Sequence, residues 1–113
     1  MSELIHKTIY NLLGGNDLVV MTGAKNFTCD LKDNNLLGFR LPMRLAKHSI
    51  NGVIITYSYG TDLFTVTFKT IKGIKSTVVS IVEDVYAEDL RKVFEHETGL
   101  VLTKPRVMSN FYG

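Results

Sequence analysis

Two neighbouring segments in which apolar and polar residues alternate constrain this chain more than any other feature. The apolar and aromatic positions of this alternation are Val53, Ile55, Tyr57, Tyr59, Phe64, Val66 and Phe68. Successive side chains of a strand point to opposite faces, so the pattern predicts two strands that each turn one face to a core. Gly60-Thr61 lies between them and predicts a tight turn. The chain must therefore build an antiparallel sheet.

A third strand is predicted over Ile74 to Val82, after a turn at Lys72-Gly73, and it completes a three-strand meander. Its alternation is poorer, because apolar residues such as Val78 and Val79 fall on both faces. Such a pattern is typical of a central strand that is covered on both sides. We therefore expect this strand to lie inside the sheet.

A hairpin is predicted upstream of the meander. Phe27 to Leu31 and Leu36 to Leu41 flank Asp33-Asn34-Asn35, whose side chains favour turns by bonding their own backbone. Pro42 has no amide hydrogen to donate and ends the pairing. Residues 43–51 are then expected to form an irregular crossover to the meander.

Helices are predicted at both ends of the chain. Apolar residues spaced i, i+4, i+7 and i+8 indicate a helix from Ser2 to Leu13, and Gly14-Gly15 supplies a left-handed stop. A second helix follows residue 87 and ends at Thr98-Gly99. Between the first helix and the hairpin, the β-branched run Asp17 to Met21 predicts a strand. Residues 22–26 predict a turn in which a glycine or asparagine takes a positive φ.

The expected fold is α+β: an N-terminal helix, an antiparallel sheet of about five strands arranged as a hairpin plus a three-strand meander, and a C-terminal helix. A length of 113 residues is usual for one domain. We expect a single domain over 1–113, with a compact core over 1–103 and a loosely held tail over 104–113. The predicted core consists of Ile9, Leu12, Phe64, Val66, Phe68, Leu90, Val93 and Phe94.

Several classes of protein are disfavoured by the composition. The apolar runs, such as Leu18 to Met21, are far shorter than the ~20 residues that cross a bilayer. Glu3 and Lys7 interrupt the N-terminal apolar stretch, which is unlike a secretion signal. The single cysteine, Cys29, has no partner for an internal disulfide and is expected to be a half-buried strand residue. We expect a cytoplasmic protein with no membrane contact.

No catalytic constellation is found. His6, His48 and His96 each lack a second ligand at i+2 or i+4, as a metal site would need. The segment Gly23 to Asn26 has only part of the spacing of a phosphate loop. No Ser-His-Asp or Cys-His set can be assembled from the sequence. We expect no metal, no cofactor and no enzymatic activity.

The charge is distributed unevenly, which points to binding instead. Residues 22–80 hold eight Lys or Arg and three Asp, whereas residues 81–97 hold six Asp or Glu and two Lys or Arg. Such asymmetry can steer partners to a surface. The candidate partner-binding residues are Lys25, Asn26, Arg40, Arg44, Lys47, Lys69, Lys72 and Lys75. With Tyr57 and Tyr59 nearby, they could bind nucleic acid by charge and stacking. Alternatively, hairpin lysines serve only to keep the sheet soluble.

Four segments resemble a family of small uncharacterised proteins of bacteriophages and bacterial mobile elements. They are residues 12–16 (LLGGN), 21–27 (MTGAKNF), 85–86 and 98–100, and the likeness spans about residues 5–100. The resemblance implies a setting in a bacterial host and carries no established activity. It implies a non-enzymatic accessory protein that binds a macromolecule, with a host or phage protein as the first expectation. The alternative is a nucleic-acid-binding module that uses the basic crossover and hairpin. A homo-oligomer is also compatible with the sequence.

Overall fold

The computed structural model describes residues 5–29, 35–42 and 46–100. In these ranges, the helices are α1 (Ile5–Leu12), α2 (Asn16–Thr22) and α3 (Leu90–Thr98). The strands are β1 (Lys25–Cys29), β2 (Leu36–Arg40), β3 (Gly52–Ser58), β4 (Leu63–Lys72) and β5 (Lys75–Val85). They form one sheet in the order β1-β2-β3-β4-β5, with every neighbouring pair antiparallel. The expected α+β fold, with its hairpin and three-strand meander, is confirmed.

One face of the sheet carries the core, as the alternation predicts. Val53 and Ile55 of β3 and Val66 and Phe68 of β4 are fully buried on this face, beneath Ile9, Leu90 and Phe94 of the helices. Of the predicted core, only Leu12 and Val93 are partly rather than fully buried. Contacts among the rings of Phe27, Phe39 and Phe94 tie β1, β2 and α3 together.

Residues 17–21, predicted as a strand, belong instead to helix α2, so that prediction is wrong. A strand would bury alternate residues, whereas Leu18 and Thr22 are buried four positions apart and Val20 between them is exposed. The Thr22 hydroxyl donates to the Leu18 carbonyl at 2.5 Å and accepts from the Ala24 amide. Burial of the Leu18 side chain, worth about 2 kcal/mol, outweighs the few tenths of a kcal/mol that Val19 and Val20 cost in a helix.

The predicted positive φ after this segment is confirmed, although the connection is shorter than the predicted turn: Thr22 ends α2, and Lys25 and Asn26 already belong to β1. Both Gly23 (φ 73°) and Asn26 (φ 56°) adopt left-handed backbone conformations. A Cβ at Gly23 would lie 3.0 Å from Cγ of Pro42. Both this close approach and the positive φ disfavour a side chain at this position. Gly14 and Gly15 also have positive φ at the end of α1, as expected. The predicted start of the first helix at Ser2, the hairpin turn at residues 33–34 and the tail 104–113 lie outside the described residues.

Strand β5 lies at an edge of the sheet, which corrects the expectation of a central strand. Its apolar residues on both faces are largely exposed, including Val78, Val79 and Ile81. The β4–β5 ladder shifts register twice, between Phe64 and Val66 and between Phe68 and Lys69, so that β5 carries extra residues. Each extra residue changes which face the following side chains occupy. The poor alternation in the sequence therefore reflected bulges, not burial on two sides.

None of the described helices is long and apolar enough to span a membrane.

Candidate functional site: a basic depression on the open face of the sheet

The candidate site lies on the side of the sheet opposite the core, which we call the open face. Cross-strand pairing aligns one residue from each strand in a row on this face. The first row is Lys25, Arg40, Gly52, Lys69 and Val78, and the adjacent row is Thr28, Gly38, Ile54, Thr67 and Ile81. Directly opposite residues share a face of an antiparallel sheet. The register therefore places Arg40 and Lys69 on either side of Gly52.

Two glycines turn this part of the open face into a depression. Gly52 has no side chain to fill the gap between Arg40 and Lys69, and Gly38 lies in the neighbouring row. The cavity has a volume of about 250 Å³. A Cβ at Gly38 would lie 2.8 Å from the Thr28 hydroxyl, and one at Gly52 would lie 2.7 Å from Cδ1 of Ile71. The neighbouring side chains thus lean over the glycines and wall the depression.

Hydrogen-bond donors are concentrated around this depression. Its lining includes four residues whose side chains carry donors: Asn26, Thr28, Arg40 and Lys69. The backbones of Arg40 and Lys69 are two strands apart, or about 10 Å. Within the described residues, Nε of Arg40 is buried without a hydrogen-bond partner. An unpaired buried donor costs about 1–3 kcal/mol, so an acceptor placed in the depression would be stabilised. The site is suited to a carboxylate or another oxyanion.

Apolar walls complete the site. Ile54 and Ile71 line the depression beside the two cations. Strand β4 is fixed at this point by Asn51, whose side chain donates to the Ile71 carbonyl at 2.9 Å and accepts from the Ile71 amide at 2.7 Å. These two bonds extend the β3–β4 ladder past the first residue of β3, Gly52. The wall at Ile71 is therefore held by a buried side chain and not by the strand alone.

The structure gathers only part of the predicted partner-binding set at this site. Asn26, Arg40 and Lys69 line the depression, and Lys25 is the cross-strand neighbour of Arg40. The other described lysines of that set lie elsewhere.

Lys72 and Lys75 pair with each other at the tip of the β4–β5 hairpin. Lys47 belongs to a single 3-10 turn, Lys47–Ser49, and its side chain lies against Gly99 at the end of α3. Arg44 lies outside the described residues. Lys47, Lys72 and Lys75 therefore do not line the depression.

Gly38 and Gly52, which form the floor, and Thr28, Ile54 and Ile71, which wall it, were not predicted as site residues. The two glycines did leave a signal, because each stands inside or beside an otherwise apolar strand pattern. An interior strand glycine often marks a place where another group approaches the backbone closely. The wall residues gave no comparable signal in the sequence, because isoleucine and threonine are ordinary strand residues.

The tyrosines expected to stack beside the basic residues lie on the other side of the sheet. Tyr57 and Tyr59 contact each other edge to face, with ring centroids 4.9 Å apart, and border a groove with Ile5 and Leu12 of α1. The Tyr57 hydroxyl donates a hydrogen bond to Asp62, and this bond raises the pKa of Tyr57 above its ordinary value. The sheet thus separates these two rings from the basic depression.

No group of three His, Cys, Asp or Glu residues in the described part of the chain is arranged to hold a metal ion. Cys29 is exposed in β1 rather than half-buried, which corrects the prediction. Its strand, β1, is exposed at all five positions.

Known proteins give no direct guide to the role of the depression. No protein-family model matches this chain, no curated protein matches it, and no solved structure matches it. Its role is therefore inferred from the chemistry of its own residues.

Proposed function

We propose that this protein is a non-enzymatic binding module that holds an acidic side chain or chain terminus of a partner protein in the depression on its open face. The observation that supports this proposal is the placement of Arg40 and Lys69 on either side of Gly52. Following the resemblance in the sequence, we propose a phage or mobile-element accessory protein that acts in the cytoplasm of a bacterial host. The partner is then a host or phage protein.

A carboxylate fits the two cations in both charge and geometry. Arginine presents a planar fork of donors that binds a carboxylate through two parallel hydrogen bonds. The Arg40 guanidinium has a buried donor atom to satisfy. Lys69 adds a second positive charge across the gap. A carboxylate in this position would therefore gain charge-assisted bonds and relieve an unpaired group.

The apolar walls favour a protein over a simple anion. Ile54 and Ile71 offer aliphatic surface beside the cations, so an apolar residue next to the acidic one would also be buried. Protein interfaces concentrate their binding energy in such a desolvated centre, where arginine is enriched. The partner segment is therefore expected to combine one acidic group with a neighbouring aliphatic or aromatic side chain.

Nucleic acid is the second candidate, and one observation favours it. Lys25, Arg40 and Lys69 lie in one row across the open face, which could follow a phosphate backbone. Proteins that bind single strands also use aromatic rings as stacking platforms. The two open-face rows contain no aromatic residue, and Tyr57 and Tyr59 lie on the other side of the sheet. A protein partner is therefore the stronger proposal.

The first experiment is a pull-down from bacterial lysate, with and without nuclease, compared between matched variants. Arg40→Ala/Lys69→Ala removes both cations of the depression. Lys7→Ala/Lys92→Ala removes the same charge from exposed positions on α1 and α3. We expect the first pair to lose the captured protein and the control pair to keep it, in both arms. Equal capture by both pairs would refute the role of the depression, and capture that nuclease abolishes would favour nucleic acid.

A third variant separates shape from charge. Gly52→Ala places a methyl group between the two cations while leaving both in place. Its Cβ would meet Cδ1 of Ile71, the far end of a flexible side chain that can shift aside, so the fold should tolerate it. Once a partner is identified, we expect its affinity for this variant to fall at least about tenfold, or 1.4 kcal/mol. Unchanged affinity would mean that the partner does not enter the depression.

A further inference from the structure

Strand β5 lies at an edge of the sheet and exposes several apolar side chains. β5 is eleven residues long and lies at one end of the sheet order, so its outer backbone groups have no partner strand within that sheet. Val78 is 50% exposed and Ile81 is 53% exposed. A long apolar edge is a template for pairing with another strand. No residue of β5 lines the depression, so substitutions in β5 and in the depression test the two proposals separately.

The charges along β5 are complementary to themselves when the strand is reversed. Lys75 begins the strand, and Glu83 and Asp84 lie near its end. Lys72 and Lys75 are direct cross-strand neighbours, and such a like-charge pair is destabilising. An antiparallel copy of β5 would bring its acidic end to this basic hairpin tip, and would do so at both ends of the contact.

We propose that two copies of this chain associate through β5, antiparallel about a two-fold axis between Val79 and Ser80, to form a continuous ten-stranded sheet. In this register Lys75 of each copy lies opposite Asp84 of the other and beside Glu83. Val78 lies opposite Ile81. An isologous contact of this kind uses the same surface twice, so two equivalent charge contacts form.

One of the two irregularities of β5 fits this register. Positions 75–78 and 80–82 each pair regularly with β4, and the shift lies between them, at the proposed axis. Val78 and Ile81 both face the open side, because their β4 partners Lys69 and Thr67 do. Thr77 and Val82 pair with Thr70 and Val66, on the core side. In the dimer, Val78 and Ile81 therefore share one face and Thr77 and Val82 share the other, and Val78 and Ile81 of both copies form one apolar cluster.

An edge contact of this size belongs to the small, transient class of interfaces, so we expect a dissociation constant in the micromolar range or weaker. Sedimentation velocity of the purified full chain, across about two decades of micromolar concentration, should show a monomer–dimer equilibrium. A protein that stays monomeric throughout would overturn the proposal, as would a dimer that is insensitive to substitutions in β5.

A matched pair of lysine substitutions locates the contact. Ile81→Lys places a charge in the proposed apolar cluster, and we expect it to weaken dimerisation at least tenfold. Ile74→Lys makes the same change at a fully exposed turn position outside the paired stretch, and we expect no effect. Both sites are exposed, so the urea midpoints should stay close to that of the parent. Equal effects of the two substitutions would contradict the register.

A charge exchange tests the antiparallel direction. Lys75→Glu gathers three acidic residues at each end of the contact and should weaken the dimer at least tenfold. Adding Glu83→Lys to that variant returns the local charge to its original value and should recover part of the lost affinity, because position 75 still lies opposite Asp84. Glu83 is chosen over Asp84 because Asp84 has a φ of 57°, where a new side chain would also strain the backbone. Failure of the double variant to recover would exclude this arrangement of the two strands.

Discussion

The side chain of Asn51 extends the sheet just before β3 begins, and replacing it should destabilise the whole protein. Asn51 is 1% exposed. Its amide group forms two hydrogen bonds to the backbone of Ile71, while its own backbone pairs with Lys69 and Leu41. Asn51→Leu keeps a side chain of similar volume but removes both bonds to Ile71. It leaves one N–H and one C=O of β4 without their partners.

The expected cost follows from those two groups. Each unsatisfied buried polar group costs about 1–3 kcal/mol. The bonds to Ile71 are only part-buried, so the cost for each group should lie in the lower part of this range. We therefore expect a loss of about 2–4 kcal/mol in the free energy of unfolding. Urea denaturation followed by far-UV circular dichroism measures it, provided that the m value is unchanged. Hydrogen exchange should show lost protection at the Ile71 amide and retained protection at Phe68.

Thr70→Val is the matched control. The Thr70 hydroxyl donates to the backbone carbonyls of His48 and Ser49 near the same end of β4, but these bonds are exposed. Water can replace them, so we expect a loss of under about 1 kcal/mol. A loss below about 1 kcal/mol for Asn51→Leu, equal to that of the control, would refute the claim that a buried side chain secures this strand.

Three further outcomes are expected. Phe68→Ala should cost about 3–5 kcal/mol in urea melts, because the ring is fully buried, and a change under about 1 kcal/mol would contradict its placement in the core. Asp62→Asn should lower the pKa of Tyr57 toward its ordinary value in an alkaline absorbance titration, because the hydrogen bond to the Asp62 carboxylate raises that pKa. The stability that this hydrogen bond contributes is present below about pH 10 and is lost as the pH rises further. An unchanged titration would exclude the bond. Single-stranded oligonucleotide binding should be weak and depend only shallowly on salt, whereas a steep log-linear fall in affinity would favour the nucleic-acid alternative.

The strands that carry the core could be predicted from sequence because their signal is local. In β3 and β4, strongly apolar residues recur at every second position and so form one face of each strand. That face must be buried, which fixes the orientation of the strand. The terminal helices and the turn at Gly23 were equally local. Each depended on spacing or on the tolerance of glycine for a positive φ.

Helix α2 was missed because its sequence is ambiguous at short range. A run of seven residues fits either a helix or a strand, and burial of Leu18 and Thr22 decided between them. One signal was present: Thr22-Gly23 and Thr98-Gly99 end α2 and α3 in the same way. In each, the threonine hydroxyl donates to the carbonyl four residues back and the glycine is left-handed.

The position of β5 and the depression itself required the tertiary structure. An apolar strand looks alike in sequence whether it is central or at an edge, because the difference lies in what packs beside it. Arg40, Gly52 and Lys69 lie far apart in the chain and on three strands, and they meet only because the register of two ladders aligns them. The sequence by itself determined which face of the sheet is apolar. Only the register decided which residues of the other face stand side by side, since it depends on turn lengths and bulges that side-chain patterns do not encode.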